Sequence, residues 1–258
     1  MVIMATENRA PTASTATPSL FVKNLEVTFG EFRAVRGVDF VTHPGVVHFL
    51  IGPNGAGKTT CIDAITGLVQ GKGSVKIGDT EILGTPVEKI AKLGVGRTFQ
   101  TASVFEELTV LQNLDIAAGL HRTWGSLFSI RRFVDPRIES ALAITKLKEH
   151  EDKLAGVLSH GQKQWLEIAM LLVQDAKVIF LDEPIAGMSE DERRATGQLL
   201  HSIAKDRVVV VVEHDMEFMR SFADKVTVLN HGEILSEGSV EEVQADPEVQ
   251  KVYLGTAA

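Results

Sequence analysis

One cysteine, Cys61, stands in 258 residues, which excludes an internal disulfide framework and fits a reducing compartment. No apolar run approaches the roughly 20 residues that span a bilayer. The longest, VVHFLIG (46–52) and RVVVVVE (207–213), have the length of buried strands. A basic excess is also missing. The formal net charge of −8 argues against a general nucleic-acid binder, so no nucleic-acid partner is expected. The first 19 residues, MVIMATENRAPTASTATPS, lack the basic head and continuous apolar block of a signal peptide. Their Ala, Thr, Ser and Pro content reads as a disordered tail. Internal repeats are absent, so each motif occurs once. Any work at a membrane would be done through partners.

What is present reads as one large α/β domain, long enough for a proper core. Strand-like runs open it: FVKNLEVTF (21–29), AVRGVDFVT (34–42) and VVHFLIG, followed by helix signals from Lys58 to Thr66. A short strand is predicted around SVKIG (74–78), and helices over 87–94, 109–120 and 137–147. From residue 158 onward strands alternate with helices. A helix headed by LSHGQ precedes VIFLD (178–182), and a helix over 190–205 precedes RVVVVVE. A helix over 215–223 then leads to KVTVL (225–229) and EILSEG (233–238). Such alternation is the pattern of a mostly parallel sheet with helices packed on it. Residues 95–160 hold no convincing strand after their first few positions. They are expected to form a helical subdomain inserted in the core.

The sharpest motif is GPNGAGKT (52–59), which matches G-x-x-x-x-G-K-[ST] in full and sits between an apolar strand and a helix. Gly52, Pro53, Asn54, Gly55, Ala56 and Gly57 would let backbone N–H groups curl around phosphate oxygens, with Thr60 following in the helix's first turn. Lys58 should reach the β- and γ-phosphates, and the Thr59 hydroxyl should bind Mg²⁺. VIFLDEP (178–184) ends an apolar strand in two carboxylates. Asp182 would hold Mg²⁺, and Glu183 would polarise the attacking water as general base. His214 lies just beyond another buried strand, where a ring N–H can donate to a γ-phosphate; a plain surface histidine is the competing reading. Gln100, after VGRTF, ends a short strand and could touch Mg²⁺ or water.

Together these residues resemble the nucleotide-binding subunits of ATP-binding-cassette transporters, in the family's order and over nearly the whole chain from Phe21 onward. The resemblance implies an α/β fold: a P-loop NTPase ABC-type ATPase core, with a mixed sheet flanked by helices, an antiparallel β subdomain and the inserted helical subdomain. LSHGQ (158–162) looks like the family's signature motif, with His160 where the first of two glycines usually stands. In the family, the counterparts of Ser159 and Gly161 touch the γ-phosphate held by a second subunit, with Gln162 completing the motif. A dimer of ATPase subunits, homomeric or heteromeric, is therefore implied, with ATP and Mg²⁺ bound. Phe29 fits the position where the family stacks an aromatic ring on adenine, Phe32 being the nearby competitor. Ser189 stands where the family often has Asp.

The resemblance narrows further. GRTFQTASVFEELTVLQNL (96–114), the aromatic-bearing stretch 121–136 and the tail EVQADPEVQKVYLG (242–255) look like the subfamily serving hydrophobic-amino-acid and amide uptake. Within it, LSHGQKQWLEIAMLL and VVEHDMEFMRSFADKVTVL are similar to one of the two ATPase subunits of urea uptake systems. The resemblance thus implies urea or short-chain amide import. Its partners would be two transmembrane permease subunits and, indirectly, a solute-binding protein, at the cytoplasmic face of the inner membrane. FEELTVLQNL (105–114) is the expected docking surface. Branched-chain amino-acid import and a non-transport cassette ATPase are the alternatives.

Overall fold

A computed structural model of the protein describes residues 17–99, 103–119 and 135–254. Two sheets carry it. In the first, β1 (Leu20–Phe29) pairs antiparallel with β2 (Phe32–Thr42) on one side. On the other it pairs with β4 (Lys72–Ile77), to which the two-residue β5 (Thr80–Glu81) adds. Along β1, buried and exposed positions broadly alternate, as expected of a sheet with one face on the core. Thr17 and Ser19, read from sequence as part of the tail, are held to the body. The Thr17 hydroxyl donates to Asp206 O (2.5 Å), and Ser19 O accepts the N–H of Gly78 (2.9 Å). Residues 1–16 lie outside the described residues.

The second sheet runs β10 (Glu233–Gly238), β9 (Lys225–Asn230), β3 (Val47–Ile51), β8 (Val208–Val212), β7 (Val178–Asp182), β6 (Val95–Arg97). All its pairings are parallel except that of β10 with β9. Every residue of β3, β7 and β8 is buried. Their side chains divide by alternation. Phe49, Ile179, Leu181, Val209 and Val211 enter one core, while Leu50, Phe180, Val208 and Val210 enter another, shared with the first sheet. These runs show no polar alternation in the sequence because both faces are packed.

α1 (Lys58–Ile65) and α2 (Val87–Lys92) lie on the side of the first sheet, contributing Ile62, Ile65 and Ile90 to its core. α3 (Val110–Ala118) and α4 (Pro136–Ile144) both pack on α5 (His160–Val173), which forms a helical layer with them and runs beyond the 95–160 stretch. Thr109 and Gln112 close a reciprocal cap at the start of α3, and the buried Asn113 amide accepts from Phe105 N–H (2.8 Å) and donates to Phe105 O (3.0 Å). Within 105–114, Val110, Asn113 and Leu114 are buried, while Phe105, Glu106, Glu107 and Gln112 are exposed. α6 (Glu190–Ala204) and α7 (Met216–Phe222) follow β7 and β8. The segment after β10, read from sequence only as a family-like tail, forms α8 (Val240–Ala245) and α9 (Pro247–Leu254), the second opened by a proline at its first position. Among the described residues no helix is long and apolar enough to cross a membrane.

One buried charge in this frame gives a stability test. Glu167 Oε1, on α5, accepts the N–H groups of Phe99 and Ser103 (3.4 Å each), and among the described residues Oε2 has no partner. Burial pushes its carboxyl up to about 7. The folded value lies above the unfolded one. The stabilisation is therefore full below the unfolded pKa near 4.5 and is lost as pH rises through about 7. Glu167→Gln keeps the accepting oxygen and removes the charge. At pH 8 it should stabilise the fold by about 3 kcal/mol, and by under about 1 kcal/mol at pH 5. Thermal unfolding at both pH values checks this; a lower Tm for the variant at pH 8 refutes it.

Candidate functional site

The loop between β3 and α1 wraps the floor of a cleft of about 290 Å³, lined by residues 54–60 together with Ala34, Phe32, Glu183 and Val212. Gly57 stands at φ +101°, and a Cβ there would lie 2.6 Å from Ala34 O, so only glycine lets the loop close against β2. Lys58 Nζ donates to Gly52 O (2.7 Å) and Pro53 O (3.1 Å), folded back over the loop. Burial lowers its pKa, and the carboxylates of Glu183 and Asp182 oppose that shift. Backbone N–H groups at a helix N-terminus with one inward ammonium form a cradle for a polyanion.

The opposite wall comes from the ends of β7 and β8. Asp182 is buried, and its Oδ2 lies 3.3 Å from the Arg97 guanidinium, which also pairs with Asp63 of α1. Burial pushes the Asp182 carboxyl up, and Arg97 opposes this. Its neighbour Glu183 adopts φ +50°, a left-handed conformation uncommon for a side-chain-bearing residue. The N–H of Glu183 donates to Val212 O (2.9 Å), and its Oε1 stands 3.4 Å from His214 Nδ1. Two residues chosen from separate strand ends thus meet at one point beside the loop. Gln100 lies outside the described residues.

Ser159 caps α5 in a reciprocal box with Gln162. Its hydroxyl donates to Glu192 Oε1 (2.9 Å), from the first turn of α6, and the Gln162 amide lies 3.0 Å from His150 Nε2. The same Glu192 carboxylate lies where a Cβ on Gly161 would meet it at 2.9 Å. None of Ser159, Gly161 and Gln162 lines the cleft of the phosphate loop. Phe29 and Phe32 face each other across the β1–β2 hairpin and are both exposed. The cleft wall includes Phe32 and not Phe29, the position favoured from the motif.

Three residues at the site were not singled out from the sequence. Arg97 links α1 to β7. Glu192 meets Ser159 from a helix 33 positions downstream. Glu213 lies buried behind His214, its carboxylate accepting from Ile185 N–H and His214 N–H. An arginine inside the short apolar strand VGR was the one visible anomaly. The two glutamates read as ordinary polar residues at strand and helix ends.

With this geometry in hand, the chain compares closely with known proteins. The ABC transporter family profile matches residues 35–186, and that of the branched-chain amino acid ATP-binding cassette transporter matches residues 233–258. The high-affinity branched-chain amino acid transport ATP-binding protein BraF of Pseudomonas aeruginosa is 37% identical over 255 residues, covering 93% of this chain and 99% of BraF. LivG of Escherichia coli K12, a high-affinity branched-chain amino acid transport ATP-binding protein, is 34% identical over 252 residues, covering 93% and 99%. The crystal structure of the ADP conformation of MJ1267, an ATP-binding cassette of an ABC transporter, superposes with a TM-score of 0.80 at 30% identity, covering 93% of this chain and all of that one. The fold is that of an ABC ATPase cassette. The expectation of urea or amide uptake finds no support in these relatives, which are named for branched-chain amino acid transport.

Proposed function

We propose that this chain, which belongs to the ABC transporter family and hydrolyses ATP, powers import of branched-chain amino acids as one of two ATPase subunits docked beneath membrane permeases. The observation that carries the hydrolytic reading is that Glu183, on the wall of the phosphate-loop cleft, meets His214 at 3.4 Å. The solute reading rests on BraF, LivG and the family matched at residues 233–258.

In this reading the loop's N–H groups and Lys58 hold the β- and γ-phosphates, and Phe32 or Phe29 stacks on the base. Glu183 takes a proton from the attacking water, and the His214 ring N–H donates to the γ-phosphate. The Thr59 hydroxyl and the Asp182 carboxylate are hard oxygen donors of the kind Mg²⁺ takes and would hold the ion. When bound, the ion would neutralise charge developing on those oxygens. Gln100 is retained as a further Mg²⁺ or water contact. Ser159, Gly161 and Gln162, away from their own chain's cleft, contact ATP held by the other ATPase subunit.

A second, largely apolar cleft of about 180 Å³ lies between α1, α2 and the end of α5, edged by the exposed Leu68, Val87 and Phe99. Phe99 lies under the Arg97 guanidinium (5.0 Å to the ring centroid), and Arg97 reaches Asp182. A short permease segment seated there would bear on a residue that leads directly to the cleft. The chain would then work at the cytoplasmic face of the membrane.

The test is ATP hydrolysis by the chain assembled with its neighbouring ATPase, permeases and binding protein. Binding protein loaded with leucine should stimulate turnover, and urea should leave it at the basal rate. Stimulation by urea alone would return the solute to the amide reading. Failure to assemble with any permease would favour a non-transport role.

A further inference from the structure

Glu213 is almost fully buried at the end of β8, yet among the described residues no Lys or Arg pairs with its carboxylate, and His214 Nδ1 is 3.9 Å away. A buried carboxylate is costly unless its oxygens are used. Both are. Oε1 accepts the N–H of Ile185 (3.3 Å), two residues past Glu183, and Oε2 accepts the N–H of His214 (3.2 Å). Only a carboxylate offers two acceptor oxygens and no donor to a pair of N–H groups.

The placement ties the two halves of the hydrolytic pair. Glu183 sits at φ +50°, a conformation that persists only when the surroundings hold it. Its own N–H is fixed by Val212 O (2.9 Å), and the peptide two residues on is fixed by Glu213. Consecutive residues of one strand end therefore grip the Glu183 turn on both sides. Through its second oxygen the same side chain grips the backbone of His214, whose ring faces Glu183.

Resting on the hydrolytic reading above, we propose that Glu213 is a positioning residue, setting the distance and angle between Glu183 and His214 without touching ATP. A displacement of about 1 Å in such a pair costs up to about a hundredfold in rate.

Glu213→Gln keeps the shape and one acceptor but turns an N–H₂ donor toward one of the two N–H groups; Glu213→Ala removes both acceptors. The expected result in the assembled transporter is a kcat reduced about tenfold for Gln and about a hundredfold for Ala, with KM for ATP within about twofold of wild type. Fluorescent-nucleotide binding and Tm, measured on the same preparations, report folding separately. The Glu183→Gln/Glu213→Ala double variant should lose clearly less than the product of the two single losses, because Glu213 acts in part through Glu183. Wild-type kcat in folded Glu213→Ala overturns the proposal, as does a loss that multiplies fully with that of Glu183→Gln. A KM that rises in step with a falling Tm assigns Glu213 a purely structural part and also overturns it. Normal turnover by Glu183→Gln would instead strike the base assignment, which the single Glu213 variants do not test.

Discussion

Glu183→Gln leaves ATP binding at wild-type affinity and lowers turnover by about a hundred- to a thousandfold. The substitution is nearly isosteric, and the turn that holds residue 183 is fastened by backbone: its N–H on Val212 O and the N–H of Ile185 on Glu213. The left-handed conformation at 183 therefore survives, and so does the cradle built from residues 54–60 and Lys58. What disappears is the proton acceptor 3.4 Å from His214. Withdrawing a positioned general base costs two to four orders of magnitude in rate. Because binding persists while hydrolysis stops, the ATP-bound pair of cassettes should accumulate. Size-exclusion chromatography with ATP should show a dimer for the variant under conditions where the wild type is monomeric. Wild-type turnover by the variant would remove Glu183 from the role of base.

The features legible in the sequence are those written in consecutive residues. The apolar runs VHFLI, VIFLD and VVVVV became the three fully buried strands, and the loop at 52–59 occupies the strand-to-helix junction its glycines require. What was hidden depends on residues brought together from far apart. Glu213 is one polar residue at a strand end until the N–H groups of Ile185 and His214 both turn toward it. Motif position favours Phe29 over Phe32, whereas the course of the hairpin puts Phe32 on the cleft wall. Gln100 lies outside the described residues, so its expected contact stays a sequence inference. The solute was least legible for a physical reason: an ATPase subunit beneath a permease does not touch what is transported. Trp165, part of the signature helix that suggested urea uptake, donates its indole N–H to Thr196 Oγ1 (2.8 Å) on α6. It packs one helix on another and carries no information about the solute.

The largest reversal of effect is expected from mixing two inactive chains. Lys58→Ala removes the ammonium that reaches the phosphates, a charge-assisted contact worth roughly tenfold to a hundredfold in binding. Gly161→Asp sets a second carboxylate at the N-terminus of α5, already beside Glu192, where an arriving phosphate would be repelled. Each variant alone should hydrolyse almost no ATP. In a homodimer of this chain, formed without the neighbouring ATPase, where every site joins the loop of one copy to the capped helix of the other, combining them concentrates both lesions in one site. The second site then pairs an intact Gly161 from the first chain with an intact Lys58 from the second. Random pairing of equal amounts gives half mixed dimers with one good site of two, so about a quarter of wild-type turnover should return if the sites act independently. Mixed dimers captured through two different tags should hold all of it. If the captured mixed dimer is folded, binds ATP and remains inactive, then Ser159 and Gly161 do not serve a neighbouring nucleotide. The 2.9 Å contact of Ser159 with Glu192 is then what the cap is for. Recovery would mean that contact is exchanged for a γ-phosphate each time two cassettes close.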